Sequence, residues 1–508
     1  VLRVIEPYPI LTQEQIELAF WMQKNYYCLL VDALRLMIPA QMRGGKVKEK
    51  IERTIRLRYP EGTAQLLPQL LDKSGKPRSP KQYEVLETLL RCNMEMAVSD
   101  VLAFVPNAQS AIKTLIKNGY LLEGDYVTFR RPNMGTVFED KQVKLNPAQN
   151  HAVEAIVQAM EQRSGTLLLH GVTGSGKTEV YMHAIERCLA SGRQAIMLVP
   201  EIALTPQTVG LFQERFSDGI AVLHSRLSAG ERFDEWRRIR LGKARVAVGA
   251  RSAVFAPMQN VGLIIVDEEH EGSYQSETNP RYGALEVAAF RAKQFGAPLL
   301  LGSATPSLLS YYRALSGRYQ LLELPERVQN RPLPQVEIID MRQEFQNGNN
   351  SIFSGRLVQL LDECCQKGHQ AMLFINRRGY STFVSCRNCG HVVMCDDCDI
   401  SMTYHKGENR LRCHFCGSVK PQPSVCPACG KPFIKYFGIG TEQVEEQLHA
   451  LFPKAVTLRM DTDTIHTKDS MQQMLTAFSR GEAQFLVGTQ MIAKGHDFPN
   501  VTLVGVVA

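Results

Sequence analysis

Gly171-Val172-Thr173-Gly174-Ser175-Gly176-Lys177-Thr178 is the stretch that decides the fold. It follows the short apolar run Thr166-Leu-Leu-Leu-His170 and precedes Glu179–Ala190, which reads as a helix. Strand, glycine loop and helix with the spacing G-x-x-x-x-G-K-[ST] make a P-loop. The chemistry needs these residue types. Glycines let backbone N–H groups close around a phosphate, and the helix N-terminus adds a favourable dipole. Lys177 is placed to reach the β- and γ-phosphates, and the Thr178 hydroxyl to ligate Mg²⁺. The stretch predicts a nucleoside triphosphatase.

Outward from the loop, Val261-Gly-Leu-Ile-Ile-Val266 is a continuous apolar run, the mark of a fully buried parallel strand. It ends in Asp267-Glu268-Glu269-His270. A carboxylate at the C-terminal end of such a strand, facing a P-loop, can hold Mg²⁺. Asp267 takes that role, and Glu268 is expected to orient and deprotonate the attacking water. Leu299-Leu-Leu-Gly-Ser-Ala-Thr305 repeats the design, a buried strand ending in small hydroxyl residues. Leu198–Gln207 reads as a strand running into a proline-bounded loop and helix, and Ala247–Val254 as a strand and turn.

Eight of the 13 cysteines form four C-x-x-C pairs: Cys386/Cys389, Cys395/Cys398, Cys413/Cys416 and Cys426/Cys429. Each pair places two thiolates on one tight turn and spans one edge of a tetrahedral Zn²⁺ site. Two turns complete a Cys₄ shell, so four pairs predict two zinc ions. Gly390, Gly417 and Gly430 each stand one residue beyond a pair, where a zinc knuckle needs a relaxed backbone. On spacing alone, sequential and nested pairings both close two shells. A closed Cys₄ shell leaves no open coordination position, so the zinc serves structure and partner contact rather than chemistry. His391, His405 and His414 lie nearby, but eight thiolates already satisfy two ions. Cys28, Cys92, Cys188, Cys364 and Cys365 read as structural.

The N-terminal third carries no comparable signal. Residues 1–42 contain an amphipathic helix, Thr12–Lys24, with apolar Ile16, Phe20 and Met22, then an apolar stretch that Pro39 stops. Residues 41–80 mix basic groups with turn formers and end in Lys73-Ser-Gly-Lys-Pro-Arg-Ser-Pro80, and 43–78 read as a linker. Residues 79–132 give helices at Gln82–Cys92, Val98–Phe104 and Ala108–Asn118. Two short strands, Tyr120–Glu123 and Tyr126–Phe129, follow about a Gly-Asp turn. That is a winged-helix outline, with only Lys113 and Lys117 on its third helix to meet nucleic acid.

A chain of 508 residues holds three or four domains of ordinary size. Its 58 Lys and Arg against 51 Asp and Glu leave a net charge of +7, which permits a nucleic-acid partner without demanding one. No apolar run approaches the roughly 18–20 residues that span a bilayer, and Val1-Leu-Arg-Val-Ile-Glu6 lacks a signal pattern. With cysteines paired for metal, the expectation is a cytoplasmic protein with no membrane partner. Val1 in place of a methionine, and the apolar ending Val501–Ala508, read as a piece of a longer chain.

Gly171–Thr178, Asp267–His270 and Ser303-Ala-Thr305 together resemble the superfamily 2 helicases. Their motor is two RecA-like P-loop lobes with ATP between them. The resemblance implies an α/β fold with lobe 1 at 140–325 and a truncated lobe 2 at 326–508. The two-zinc insertion occupies 384–432 of lobe 2, and the winged helix precedes both lobes. In that family a glutamine upstream of the P-loop reads adenine, here Gln149, and the Ser303–Thr305 segment couples hydrolysis to strand movement. Ala371–Gly379 and Phe485–Phe498 resemble the second-lobe motifs, which makes Arg377, Arg378, Thr489, Gln490 and Lys494 phosphate or strand contacts by resemblance.

With the zinc insertion, about residues 80–508 are similar to the bacterial replication-restart helicases, a branch of that superfamily. Val199–Gln207, Phe437–Gln443 and Gly488–Gly495 strengthen the match. This resemblance favours nesting: Cys386, Cys389, Cys426 and Cys429 on one ion, Cys395, Cys398, Cys413 and Cys416 on the other. It makes residues 1–42 the tail of an N-terminal DNA-binding domain. It implies an ATP-hydrolysing 3′→5′ DNA helicase with ATP, Mg²⁺ and two Zn²⁺, working at the bacterial nucleoid. The implied partners are forked and single-stranded DNA, D-loops, primosome and helicase-loading proteins, and single-strand DNA-binding protein. The family's final arginine-bearing motif has no counterpart here. Its aromatic-rich loop keeps Tyr274, Arg281 and Tyr282 but has Gly283-Ala-Leu285 where a histidine and an arginine are usual. Tyr274 or Tyr282 is expected to stack on bases. Two other readings keep the same motifs: an RNA-directed helicase, and a scaffold that recruits replication proteins with hydrolysis dispensable.

Overall fold

The computed structural model describes residues 9–507, apart from 41, 43–48, 73–74, 93, 132–143, 202–203, 205, 226, 329–331, 333, 376–382, 406–409, 438–439, 462–467, 490–491 and 493–497. Thr12 starts the first helix. Its hydroxyl accepts the Gln15 N–H and the Gln15 side chain accepts the Thr12 N–H, both at 3.2 Å, a capping box. Helix α1 (Gln13–Tyr26) runs from there, and α2 (Leu30–Met37) follows after Tyr27 turns the chain at φ 49°. The buried stripe of α1 is Gln15, Leu18, Ala19 and Met22. Phe20, expected in that stripe, is 54% exposed. Residues two apart do not share a helix face, and Leu18 and Met22 hold the buried one.

The stretch read as a linker is partly ordered. Lys50–Leu57 forms strand β1, and Pro60–Leu66 forms α3. After them come α4 (Pro80–Cys92), β2 (Met96–Ala97), α5 (Val98–Phe104), α6 (Gln109–Lys117) and β3 (Leu121–Thr128). The antiparallel sheet has the order β2-β1-β3, and β1 pairs β3 from Lys50↔Thr128 to Leu57↔Leu121. The two short strands expected around a Gly-Asp turn are therefore one strand. Gly124 and Asp125 lie in its middle, paired with Thr54 and Arg53. The glycine there answers crowding: a Cβ on Gly124 would stand 2.7 Å from Glu95 Oε1. Ile55 of β1 packs with Val85, Leu86, Leu89, Val101, Ile112 and Leu115 in one core, so this unit begins at 50 and not at 79.

Lobe 1 opens with α7 (Pro147–Glu161), capped by Asn146 with proline at its first turn. It continues through β4 (Thr166–Gly171), α8 (Lys177–Ala190), β5 (Gln194–Leu198), α9 (Pro206–Phe216), β6 (Ile220–Leu223), α10 (Ala229–Arg240) and β7 (Val246–Gly249). Then come β8 (Val261–Asp267), α11 (Ala284–Phe295), β9 (Leu299–Ser303), α12 (Leu308–Leu315) and β10 (Gln320–Leu324). The seven strands are parallel in the order β10-β4-β9-β8-β5-β7-β6, with an apolar core on each face. Strand β9 inserts between β4 and β8, pairing His170 with Ser303 and Asp267 with Gly302. The three strands that carry the motifs thus end side by side, where ligands of open parallel sheets bind.

Helices α1 and α2 join this lobe's core. Leu18, Met22, Ala33 and Met37 cluster with Phe255, Val287 and Ala288. Trp21 stacks on Phe290 with ring centroids 4.5 Å apart, and Trp236 Nε1 donates to the Met37 carbonyl at 3.0 Å.

Lobe 2 has α13 (Met341–Gln346), α14 (Gly355–Gln366) and β11 (Gln370–Ile375). The insertion follows with β12 (Phe383–Cys386), β13 (Thr403–His405), β14 (Arg410–Arg412), β15 (Val419–Pro421) and β16 (Ile434–Phe437). The lobe resumes with α15 (Thr441–Leu451), β17 (Thr457–Met460), α16 (Lys468–Ser479), β18 (Phe485–Gly488) and β19 (Val501–Val507). Its sheet is parallel, β17-β18-β11-β19, while the insertion makes its own antiparallel sheet, β15-β14-β13-β12-β16. Two parallel α/β lobes with a cysteine-rich insertion in the second is the fold class expected. Among the described residues, no helix is long and apolar enough to cross a membrane.

Candidate active site and metal centres

The P-loop bends at Gly174 and Gly176, with φ 78° and 80°, a conformation glycine adopts without a Cβ penalty. Gly171 is held for another reason: a Cβ there would lie 2.5 Å from Ser175 Oγ. Lys177 folds back, its Nζ donating to the Gly171 carbonyl at 2.8 Å. Ser175 is 1% exposed, and its hydroxyl has no hydrogen-bond partner among the described residues. Gln149 sits beneath the loop with both ends of its amide engaged. Its Oε1 accepts the Asn146 N–H at 2.8 Å and its Nε2 donates to the Ser175 carbonyl at 2.9 Å. Sequence reasoning missed the connector between the lobes. Arg327 Nε donates to the Thr173 carbonyl at 3.1 Å and the Val328 N–H to the Gly174 carbonyl at 2.9 Å.

Asp267 is buried at the end of β8. Tyr181 on α8 donates its phenol to Asp267 Oδ1 at 2.9 Å, and Tyr274 donates to the Asp267 carbonyl at 2.6 Å. Burial, then the neighbouring Glu268 charge, pushes the Asp267 carboxyl up to about 6, with Tyr181 and Lys177 pulling the other way. Glu268 holds a left-handed backbone, φ 47°, which costs a non-glycine residue. Glu269, unassigned by sequence, is buried. It accepts the Ser307 N–H at 2.6 Å and the Ser310 hydroxyl at 2.9 Å, pinning the start of α12. His270 Nδ1 lies 2.8 Å from Ser303 Oγ and 3.6 Å from Glu268 Oε2. The Thr305 N–H donates to Ser303 Oγ at 3.0 Å. Polar contacts therefore link Glu268, His270, Ser303 and Thr305 across the ends of β8 and β9.

Stacking by Tyr274 or Tyr282 needs an accessible ring, and neither has one: they are 2% and 3% exposed. Tyr274 is turned inward to the Asp267 carbonyl. Tyr282 packs edge-on against Phe255 at 5.0 Å, with the Arg251 guanidinium 5.7 Å from its centroid. Arg281, in the same loop, is exposed. Beside this loop a cleft of about 700 Å³ opens between the end of α2 and lobe 1. Arg35, Glu201, His224, Arg232, Arg251 and Gln275 are among its walls, and no single stretch of sequence announces it. In lobe 2, Thr489 is buried at the end of β18. Arg377, Arg378, Gln490 and Lys494 lie outside the described residues.

The cysteines pair in nested fashion. Cys386, Cys389, Cys426 and Cys429 form one cluster and Cys395, Cys398, Cys413 and Cys416 the other, with all Sγ atoms of each within 4.8 Å of one another. A Zn–S bond of about 2.3 Å implies a tetrahedral edge of about 3.8 Å. Cys386–Cys429, Cys389–Cys426 and Cys395–Cys416 stand 3.7, 3.6 and 3.6 Å apart, so the donor sets fit Zn²⁺. Each knuckle returns a backbone N–H to the carbonyl of its first cysteine: Gly390 to Cys386, Asp399 to Cys395, Gly417 to Cys413 and Gly430 to Cys426. The thiols of each cluster titrate together: backbone N–H groups of Cys416 and Lys431 lower Cys413 and Cys429, while hydrogen bonds among the thiols raise Cys398 and Cys389.

Three sequence families match segments of the chain. Residues 1–39 match "3'DNA-binding domain (3'BD)", residues 142–308 "Type III restriction enzyme, res subunit", and residues 395–421 "PriA DNA helicase Cys-rich region (CRR) domain". Replication restart protein PriA of Bacillus subtilis is 49% identical over 432 residues, covering 84% of this chain and 54% of that protein. PriA of Haemophilus influenzae is 37% identical over 515 residues, covering 100% of this chain and 68% of that one. The chain belongs to the PriA family of replication restart proteins. It spans about half the length of the Bacillus and Synechocystis PriA proteins, 54% and 52%. The PriA Cys-rich match falls on the inner cluster, around which the outer cluster closes.

Proposed function

We propose that this chain carries the ATP-driven motor of a 3′→5′ DNA helicase that acts at stalled forks and D-loops to restart replication. The observation that carries the reading is the convergence of the P-loop, Asp267, Glu268 and Ser303 at the ends of three adjacent parallel strands. The partnerless Ser175 hydroxyl and the glycines at 171, 174 and 176 fit a phosphate. MgATP supplies the phosphoanhydride whose cleavage drives the cycle. Lys177 would exchange the Gly171 carbonyl for phosphate oxygens, Thr178 and Asp267 would hold Mg²⁺, and Gln149 would read adenine by giving up its bond to the Asn146 N–H or the Ser175 carbonyl. Glu268 accepts the proton of the attacking water. The contacts through His270 to Ser303 and Thr305 carry the state of that carboxylate across the sheet.

Arg377, Arg378, Thr489, Gln490 and Lys494 serve as phosphate or strand contacts from lobe 2, and the unit at 50–128 as a winged-helix contact to DNA. Arg281 remains a candidate DNA contact from its exposed position. The two Cys₄ shells hold zinc that shapes the surface meeting primosome and helicase-loading proteins and single-strand DNA-binding protein. The test is ATP hydrolysis with and without forked DNA. Lys177→Ala should abolish turnover and keep fork binding, with affinity falling steeply with salt. Restart that survives Lys177→Ala would favour a scaffold, and stimulation by RNA alone would move the substrate.

A further inference from the structure

We propose that Tyr181 is the positioning residue that fixes Asp267 for its cation, a role that rests on the nucleotide-site reading. Tyr181 lies four residues after Lys177 on α8, so one helix face carries both the phosphate-binding lysine and the phenol. Its side chain is fully buried, and its hydroxyl reaches Asp267 Oδ1 at 2.9 Å. The sheet makes room for that reach. Gly302 of β9 is the register partner of Asp267, and a Cβ at Gly302 would lie 1.7 Å from Tyr181 Oη. Any larger residue at 302 would have to displace the phenol. The ring carbon Cζ alone would stand 2.8 Å from that Cβ, so the glycine makes room for the ring and the hydroxyl together, while a ring that merely filled the core would not need the hydroxyl.

Tyr274 grips the same residue from behind, through the Asp267 carbonyl. With Oδ1 engaged, the carboxylate presents Oδ2 to a divalent cation and cannot rotate away. Helix α8 then ties the phosphate site to the metal carboxylate as one unit.

The test uses the whole chain and a fluorescent ATP analogue titrated with Mg²⁺. Tyr181→Phe should raise the Mg²⁺ needed for half-maximal binding about tenfold, the scale on which groups that orient metal ligands act. Affinity measured in EDTA should stay at the parent value. Gly302→Ala should shift the Mg²⁺ requirement the same way, and the double variant should be no worse than Gly302→Ala, because both changes break one hydrogen bond. An unchanged Mg²⁺ titration in Tyr181→Phe would overturn the proposal. So would equal losses with and without metal, which mark a packing defect. A parent chain with no Mg²⁺-dependent nucleotide binding would take down the nucleotide-site reading and this inference together.

Discussion

Asp399 holds in its knuckle the left-handed backbone that Gly390 holds in the neighbouring one, with φ 50° against 77°. Gly417 and Gly430 complete the set, so one knuckle in four places a side chain where the turn favours none. Left-handed aspartate costs on the order of 1 kcal/mol, partly offset by the freedom glycine gains in the unfolded chain. Asp399→Gly should therefore strengthen zinc retention at the inner cluster by about 0.5 kcal/mol, and Gly417→Ala should weaken it by about 1–2 kcal/mol. Chelator titrations that follow zinc release would rank parent and variants. The reverse order would show that the Asp399 side chain supports the site.

Zinc content distinguishes the two clusters. The parent should hold two ions per chain. Cys395→Ser should lose one, because its cluster contains no other spare thiol, and leave the outer shell occupied. Cys386→Ser should splay the base of the insertion, where β12 meets β16, so it should lose the outer ion and weaken retention of the inner one. ATP hydrolysis should survive in each folded variant, since the insertion forms its own sheet in lobe 2 while the P-loop follows β4 of lobe 1. Metal analysis with parallel ATPase assays checks both statements.

Glu268→Gln should bind nucleotide within about threefold of the parent while turnover falls by about 10²–10⁴, the usual worth of a positioned general base. Asp267→Asn should instead remove Mg²⁺ dependence. Parent-like turnover in Glu268→Gln would reassign the base.

Helix α1 is welded to lobe 1 by apolar burial, so shortening its central side chain should be felt by the motor. Met22 is fully buried in a core shared with Leu168, Ile264 and Ala288. Met22→Ala should cost about 2–4 kcal/mol of lobe 1 stability, read from urea unfolding at a lobe 1 probe. A shift under 0.5 kcal/mol, on the same scale of ordinary surface substitutions, would mean the contact is dispensable.

Arg291 is a buried cation: Nη1 donates to the Val254 carbonyl at 2.5 Å, its guanidinium lies 5.4 Å from the Phe295 ring centroid, and Nη2 finds no hydrogen-bond partner among the described residues. Burial lowers its ionisation to about 10. The folded state therefore disfavours the charged form at every pH below about 10, and that cost shrinks as pH climbs from there toward the ordinary arginine range. Arg291→Met should match or exceed the parent by up to about 2 kcal/mol at pH 8, with the gap narrowing near pH 10.5. A loss above 2 kcal/mol in urea unfolding would show that the Val254 contact outweighs the charging cost.

The P-loop site and the cysteine clusters were legible because their chemistry imposes spacing: glycines before Lys177, carboxylates after an apolar strand, paired thiolates on tight turns. What escaped depends on contacts between distant segments. Lys50–Leu57 carries the alternation that buries Ile55 and Leu57, yet its lysines and arginines read as a solvated connector until β3 pairs with it. Gly124-Asp125 has the composition of a turn, and only Thr54 and Glu95 across the sheet explain the glycine. Tyr274 and Tyr282 look like stacking platforms in a loop, but their burial is set by Phe255 and by the Asp267 carbonyl. Nested pairing could not be read from spacing, because either closure satisfies eight thiolates.

Nesting also orders events during synthesis. The inner cluster closes across 21 residues, Cys395 to Cys416, and the outer across 43, Cys386 to Cys429. A growing chain delivers all four inner ligands once Cys416 leaves the ribosome, before either Cys426 or Cys429 exists outside it. The first zinc can thus be captured co-translationally, and it shortens the loop that the second must bridge. Only afterwards do β17, β18 and β19 emerge to join β11, so the insertion can be metallated before the lobe that hosts it has a sheet.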